Sequence, residues 1–159
     1  MSDYVVVLSA RNLHCGDHIS WPIESTSEIL THHAIVVAWK GGDVVKVIHV
    51  TPKENDGYEV REDLIDLGAY VKQRKVRHYE YDPCKVYEPF EVVERAKSKL
   101  GKFEYSLLAN NCEHFARWCK YNKSVSWQAV AAEVATVTAA AVTSSLGIAA
   151  GVAIAVLKN

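Results

Sequence analysis

Two runs of β-branched and apolar residues around a pair of glycines constrain the fold more than any other part of the sequence. The first run is THHAIVVAW (31–39) and the second is VVKVIHV (44–50), and they flank the residues KGGD (40–43). Such runs around Gly-Gly are typical of a β-hairpin with a tight two-residue turn. With both glycines in the turn, the lysine faces the aspartate and Ala34 lies opposite His49.

The hairpin predicts that two histidines meet on one face of the sheet. Side chains alternate between the faces of a strand, so His32 and His49 share a face, whereas His33 points to the other. The two form a diagonal pair with backbones roughly 7–8 Å apart, within reach of their side chains. A slip of one residue in the pairing would reverse this arrangement. His33 is interpreted as structural, as are the histidines outside the hairpin.

A cysteine at the start of a predicted helix is the second candidate group. Asn110 or Asn111 is a suitable N-cap for a helix that contains CEHFARWC. The predicted inward stripe is Cys112, Phe115, Ala116 and Cys119, and the predicted outward pair is Glu113 and Arg117. Because a helix N-terminus stabilises negative charge, we expect a lowered pKa for the Cys112 thiol.

Composition excludes several classes of function. The net charge is −1, which gives no electrostatic case for nucleic-acid binding. The four cysteines include no CxxC pair, and no secretory signal precedes them, so we expect free thiols in a reducing compartment. Zinc bound by His32, His49 and Cys112 would lack the paired spacing of such sites. No metal and no cofactor are therefore predicted.

The last part of the sequence differs sharply from the rest. Residues 134–157 contain no charged side chain and would span roughly 36 Å as a helix, enough to cross a bilayer. We expect a domain at 1–123 on the cytoplasmic face of a membrane and a C-terminal anchor segment at 124–159. A buried core helix and an interfacial helix are the alternatives. The GxxxG pattern at 147–151 allows two tails to pack as a homodimer.

Several motifs, in order, resemble one known family. They are Cys15-Gly-Asp-His-Ile19, the segment 31–37, Val47-Ile-His-Val-Thr-Pro52, the segment 92–101, and the segment 105–115 with its Asn-Cys-Glu-His-Phe box. Together they are similar to the lecithin:retinol acyltransferase-like family, which includes the small phospholipase A/acyltransferases. Two positions depart from that pattern, since His33 replaces an aromatic residue and Cys15 replaces a proline.

The resemblance implies both a fold and a set of roles. The fold is α+β, a circularly permuted papain-like (NlpC-type) thiol hydrolase domain with an antiparallel sheet, followed by a hydrophobic helix. His32 corresponds to the base, His49 to the polar residue that orients it, and Cys112 to the nucleophile. The candidates for stabilising the oxyanion or for positioning are Asn111, Glu113 and Tyr105.

The resemblance also implies an activity. It is that of a phospholipase A1/A2 and acyltransferase, which cleaves glycerophospholipids through an acyl thioester on Cys112. Two alternatives stay open, because one fold serves many substrates. The first is a thiol peptidase, deamidase or isopeptidase, and the second is a membrane adaptor without catalytic activity. Hydrolysis of a peptide bond would favour the first, and an unreactive Cys112 the second.

Overall fold

A computed structural model describes residues 3–23, 31–53, 57–101 and 112–121. The strands within these ranges are β1 Tyr4–Val6, β2 His18–Pro22, β3 Thr31–Gly41, β4 Val44–Pro52, β5 Tyr58–Asp66 and β6 Arg77–Tyr79. They form one six-stranded sheet with the order β1-β6-β2-β3-β4-β5, and each neighbouring pair is antiparallel. The helices are α1 Gly68–Lys72, α2 Pro89–Lys97 and α3 Cys112–Lys120. The predicted α+β architecture with an antiparallel sheet is confirmed.

Both faces of β3 and β4 are buried, which explains their nearly continuous apolar sequences. On one face Ala34 and Val36 belong to a core that also includes Leu67 and Val71 from the region of α1. On the other face Ile35 belongs to a second core, formed with side chains of α2 and α3. Buried residues of this second core include Ile35, Ile48, Val92, Val93, Ala96, Phe115, Ala116 and Cys119.

The hairpin has the predicted pairing at its histidine end but not at its turn. Ala34 lies opposite His49, as predicted, whereas Gly41 lies opposite Val44. The predicted pairing of the turn lysine with the turn aspartate is therefore wrong, because the turn consists of Gly42 and the residue after it. Two register shifts along β3 each add one residue to that strand. Together they compensate for the displaced turn before the histidines are reached.

Helix α2 is shorter than its apolar pattern suggests. The pattern extends to Leu100, but the helix ends at Lys97 and Leu100 is 38% exposed. The chain turns after Ser98 and reaches Gly101 with a φ of +69°. Leu100 therefore lies beyond the helix and does not continue the buried side that contains Val92 and Ala96.

The predicted C-terminal segment, 124–159, lies outside the described residues, so its helix, its anchoring role and its pairing stay predictions. In the parts of the chain that the structure describes, no helix combines the length and the apolar character needed to cross a membrane.

Gly16, in the loop before β2, packs directly against the backbone of Pro89 at the start of α2. Its φ is +83°, and a Cβ built on it would lie 2.7 Å from the Cα and the carbonyl oxygen of Pro89. The Gly16 amide also donates to the carbonyl of Val36 at 2.9 Å. Because backbone atoms, and not a flexible side chain, fill the space beside Gly16, a larger residue there must displace α2.

We predict that Gly16→Ala lowers the free energy of unfolding by about 1–3 kcal/mol, from backbone strain together with overpacking. Urea denaturation measures this change. Gly42→Ala is the matched control, since Gly42 also has a positive φ, +54°, but has no described atom within 4 Å of the added Cβ. Equal losses in the two variants would show that the contact with α2 carries no cost.

Candidate active site

Neighbouring strands bring two histidine rings together. The Nε2 atom of His32 on β3 lies 2.6 Å from the Nδ1 atom of His49 on β4, and the rings are nearly perpendicular. Trp21 of β2, directly opposite His32, packs edge-on against its ring. The predicted pair on one face of the hairpin is confirmed.

Cys112 lies against the backbone of β3 on both sides of His32. The amide of His33 donates to the Cys112 sulfur at 3.3 Å, and the thiol donates to the carbonyl of Thr31 at 3.8 Å. The sulfur therefore sits next to the main chain of the residue that is the candidate base. Contacts between α3 and the sheet hold it there.

The packing of α3 follows its predicted amphipathic pattern. Phe115, Ala116 and Cys119 are buried, and Cys112 packs against the same cluster. Arg117 donates to Glu113 at 2.6–2.7 Å. The predicted stripe and the predicted i,i+4 pair are both confirmed, but the pair does not point outward, because the Arg117 side chain is only 15% exposed and Glu113 lies 4.0 Å from the buried ring of His33. Cys112 is held by the core.

The acidity of Cys112 differs from the prediction. Burial raises the pKa of the Cys112 thiol above its ordinary value, although the amides of His33, Glu113 and Cys112 itself act in the opposite direction. The expectation of a lowered pKa is therefore wrong. Loss of water around the sulfur outweighs stabilisation by the surrounding amides, and the resting group at neutral pH is the thiol.

The candidate base is uncharged at neutral pH. Burial first, and then the charges of His49 and His33, lower the pKa of His32 to about 4. Its Nε2 atom is occupied by His49, and among the described residues no hydrogen bond engages its Nδ1 atom. A neutral imidazole is the form of histidine that accepts a proton.

A carboxylate that the sequence analysis missed extends the histidine pair. Asp63 of β5 accepts from the Nε2 atom of His49 at 2.8 Å and from Arg61 at 2.7 Å. Burial alone would raise the pKa of Asp63, but its hydrogen bonds to His49 and Arg61 lower it. Arg61 lies opposite His49 in the pairing of β4 with β5, so Asp63, two residues further along β5, is the diagonal neighbour of His49. Only the pairing of β4 with β5 identifies it, and the hairpin pattern did not include β5.

A second histidine cluster occupies the opposite face. The Nδ1 atom of His33 lies 2.9 Å from His18, whose other ring nitrogen lies 2.6 Å from the hydroxyl of Tyr81. The Nε2 atom of His33 lies 3.0 Å from the hydroxyl of Thr31 and 4.0 Å from Glu113. His33 therefore points away from His32, as predicted, and both of its ring nitrogens have partners.

Of the three residues predicted to stabilise the oxyanion or to position groups in the site, the structure describes one. Asn111 and Tyr105 lie outside the described residues, so their roles stay predictions. Glu113 is described, but its carboxylate pairs with Arg117 and lies near His33 instead of His32. Across the described ranges, no three His, Cys, Asp or Glu side chains converge as a metal site requires.

Comparison with known proteins identifies the family to which the chain belongs. The family model described as "Lecithin retinol acyltransferase" matches residues 11–125, which is most of the chain. The chain belongs to the lecithin retinol acyltransferase family. His32, His49, Asp63 and Cys112 all lie within the matched region, so the family relationship includes the whole site.

Individual relatives cover less of the chain. Lecithin retinol acyltransferase of Rattus norvegicus is 54% identical over 71 residues, and that of Bos taurus is 39% identical over 71 residues. These alignments cover 44% of this chain and 31% of each relative. The human protein is 39% identical over 70 residues, 43% of this chain and 30% of its own length. The chain thus spans under a third of the family members it matches, and no solved structure matches it.

The buried histidines make stability depend on pH. Burial lowers the pKa of His32 and of His33 to about 4, although Glu113 raises that of His33, and burial places the pKa of His18 well below its ordinary value. Below pH 6.5 the unfolded chain therefore binds more protons than the folded one. For each of these histidines, the free energy of unfolding then falls by up to about 1.4 kcal/mol for every unit by which the pH is lowered.

We predict that the free energy of unfolding, measured in urea at pH 7, 6 and 5, falls at each step. His32→Gln, which removes one of these groups, should show a shallower fall. A flat profile between pH 7 and pH 5 would contradict the depressed pKa values.

Proposed function

We propose that this protein is a thiol-dependent phospholipase A and acyltransferase that acts on glycerophospholipids through an acyl thioester on Cys112. The observation that carries the proposal is the position of the Cys112 sulfur, against the main-chain groups on either side of His32. His32 is in turn hydrogen-bonded to His49. A nucleophile, a neutral base and a group that orients the base are the parts that acyl transfer by a thiol needs.

The first step is proton transfer from Cys112 to His32. Because burial raises the pKa of the thiol and lowers that of His32, the two groups rest in their neutral forms. The proton moves as the sulfur attacks the ester carbonyl, so His32 acts as a general base and not as one half of a standing ion pair. His49 keeps the ring of His32 in the orientation that this transfer needs.

The attack forms a carbon–sulfur bond and places negative charge on the carbonyl oxygen. Backbone amides at the start of α3 are suited to stabilise that oxygen, as amides at helix N-termini do in other acyl-transfer sites. We assign Asn111 and Tyr105 as further candidates there. We assign Glu113 a structural role instead, because its hydrogen bond with Arg117 stabilises the first turn of α3, which carries Cys112.

Collapse of the intermediate breaks the carbon–oxygen bond. The proton held by His32 passes to the departing oxygen, a lysophospholipid leaves, and the acyl group stays on Cys112 as a thioester. In the second half of the cycle His32 removes a proton from water, an alcohol or an amine, which attacks the thioester carbon. The carbon–sulfur bond then breaks, and His32 returns the proton to the Cys112 sulfur. Water yields a fatty acid, whereas an alcohol or an amine yields an acylated product.

The chain order of the site suits a circularly permuted papain-like domain. In papain-like proteases the nucleophilic cysteine comes early in the chain and the histidine follows far downstream. Here His32 precedes Cys112 by 80 positions.

We assign residues 1–123 to the catalytic domain and 124–159 to a membrane anchor that holds this domain at the cytoplasmic face of a bilayer, where long-chain esters are concentrated. Pairing of two anchors is part of the same proposal.

We predict that the full chain in detergent micelles gains the mass of one acyl group after brief exposure to a short-chain phosphatidylcholine. Intact-mass spectrometry measures the gain. Cys112→Ala should gain no mass, and His32→Gln should acylate at least about 10³-fold more slowly, as expected when one member of a catalytic triad is lost.

Cys84→Ala is the matched control. Cys84 is an exposed free cysteine outside the site, so its loss should leave acylation unchanged. Acylation that disappears in this variant but persists in Cys112→Ala would overturn the assignment of the nucleophile. Absence of acylation with cleavage of a peptide or isopeptide substrate would favour the thiol hydrolase, and an unreactive Cys112 would favour the adaptor.

A further inference from the structure

His49 lies between His32 and a carboxylate, and this order has consequences for where the protons are. Its Nδ1 atom faces His32 at 2.6 Å, and its Nε2 atom faces Asp63 at 2.8 Å. Asp63 is held in turn by the Nε atom of Arg61 at 2.7 Å. The four side chains form one hydrogen-bonded row across β3, β4 and β5.

The carboxylate fixes the position of each proton in this row. Hydrogen bonds from His49 and Arg61 favour the ionised form of Asp63, and an ionised carboxylate only accepts hydrogen bonds. The Nε2 atom of His49 must therefore carry a proton. When the His49 ring is neutral, its Nδ1 atom then carries no proton and accepts a hydrogen bond. The Nε2 atom of His32 must therefore be the donor in the bond between the two rings. The neutral ring of His32 consequently has a bare Nδ1 atom.

We propose that Asp63 is a positioning residue that sets the tautomers of both histidines and so makes the Nδ1 atom of His32 the acceptor of the Cys112 proton. This inference rests on the function proposed above. Asp63 acts only through His49 and His32 and does not contact the substrate.

The position of the sulfur agrees with this choice of atom. Nδ1 is bonded to the ring carbon that joins the side chain, so it is the ring nitrogen of His32 nearer to the main chain. The Cys112 sulfur contacts the main chain on both sides of His32, at the amide of His33 and the carbonyl of Thr31. The sulfur therefore lies beside residues 31–33 of β3, the stretch that carries His32 and its Nδ1 atom.

The neighbouring histidine is a poorer base for the same thiol. His33 gives Cys112 its amide, but its Nδ1 atom is paired with His18 and its Nε2 atom with Thr31. Accepting a proton would turn the accepting ring nitrogen of His33 into a donor, so its hydrogen bond to His18 or to Thr31 would have to be rearranged. The carboxylate of Glu113 lies 4.0 Å from the Nε2 atom of His33, too far for the kind of hydrogen bond by which Asp63 fixes the tautomer of His49.

The first test measures the tautomers directly and needs no substrate. In the full chain in detergent micelles, with ¹⁵N-labelled histidines, two-bond nitrogen–proton NMR spectra at pH 7 identify the protonated ring nitrogen. Signals are assigned with His32→Gln and His49→Gln. We expect both rings to carry their proton on Nε2. A proton on Nδ1 of either ring, or a doubly protonated His49, would overturn the proposal.

The second test separates positioning from folding. Asp63→Asn keeps the size of the side chain, but its amide can donate to His49 and so allow the opposite tautomers. We expect kcat for acylation by a short-chain phosphatidylcholine to fall about 10- to 100-fold, as for residues that orient a ligand from one contact away, with KM unchanged. A fraction of His32 should now carry its proton on Nδ1. Asp63→Glu, which keeps the acceptor, should recover part of the loss.

Glu62→Gln is the matched control for this variant. Glu62 is the adjacent residue of β5, points to the opposite face and pairs with Lys46 at 2.7 Å. We expect its kcat to stay within about twofold of wild type, since it does not touch the row. A loss equal to that of Asp63→Asn would indicate a general effect on β5 and would overturn the proposal.

The outcomes distinguish this inference from the function on which it rests. If the wild-type protein forms no thioester, the proposed function fails, whereas the tautomers measured by NMR still decide whether Asp63 sets them. If the wild type and Asp63→Asn form the thioester equally fast, the function stands and the role of Asp63 is refuted.

Discussion

The register between β3 and β4 is the constraint on which the site depends. The 2.6 Å contact between His32 and His49 exists only because Ala34 lies opposite His49. A shift of one residue would move every side chain of one strand to the other face. Such a shift is opposed by Ile35 and Ile48, which are opposite one another and fully buried. The apolar residues that stabilise the hairpin therefore also fix the relative positions of its polar residues.

The alternation of β3 sends two consecutive histidines into different surroundings. His32 joins a row that ends in the carboxylate of Asp63, while His33 joins His18 and Tyr81 on the side of α3. Burying a polar ring is costly unless its nitrogens find partners. Both ring nitrogens of His33 have partners, and His49 supplies one at the Nε2 atom of His32. Burial also lowers the pKa of His32 and the pKa of His33 to about 4, so these two rings remain neutral. Similar burial thus gives a candidate base on one face and a structural support on the other.

The sequence predicted the parts of the site that depend on local periodicity. Alternation along the hairpin identified the His32–His49 pair, and the helical stripe placed Cys112 with the core that contains Phe115 and Cys119. These periodicities survive small errors nearby: the turn was misplaced, yet two register shifts in β3 restored the pairing before it reached the histidines.

What the sequence did not predict depends on contacts between segments far apart in the chain. Asp63 meets His49 only through the pairing of β4 with β5, and no local pattern around Asp63 distinguishes it from the acidic residue beside it. The acidity of Cys112 was wrongly predicted for a related reason. A helix start is a local feature, whereas the loss of water around the sulfur requires β3 to pack over it. Burial is a property of the assembled fold, and here it reversed the local expectation.

That reversal bears on how such a thiol is controlled. A cysteine with a lowered pKa is reactive towards any electrophile or oxidant that reaches it, because the thiolate is the reactive form. A cysteine kept as a thiol beside a neutral histidine becomes reactive only when the proton can move, which requires a carbonyl carbon placed to receive the sulfur. With the thiol held against the carbonyl of Thr31 and the pKa of His32 at about 4, the resting site favours the neutral pair. Under the proposed function, reactivity then follows from the position of the substrate more than from the acidity of the thiol.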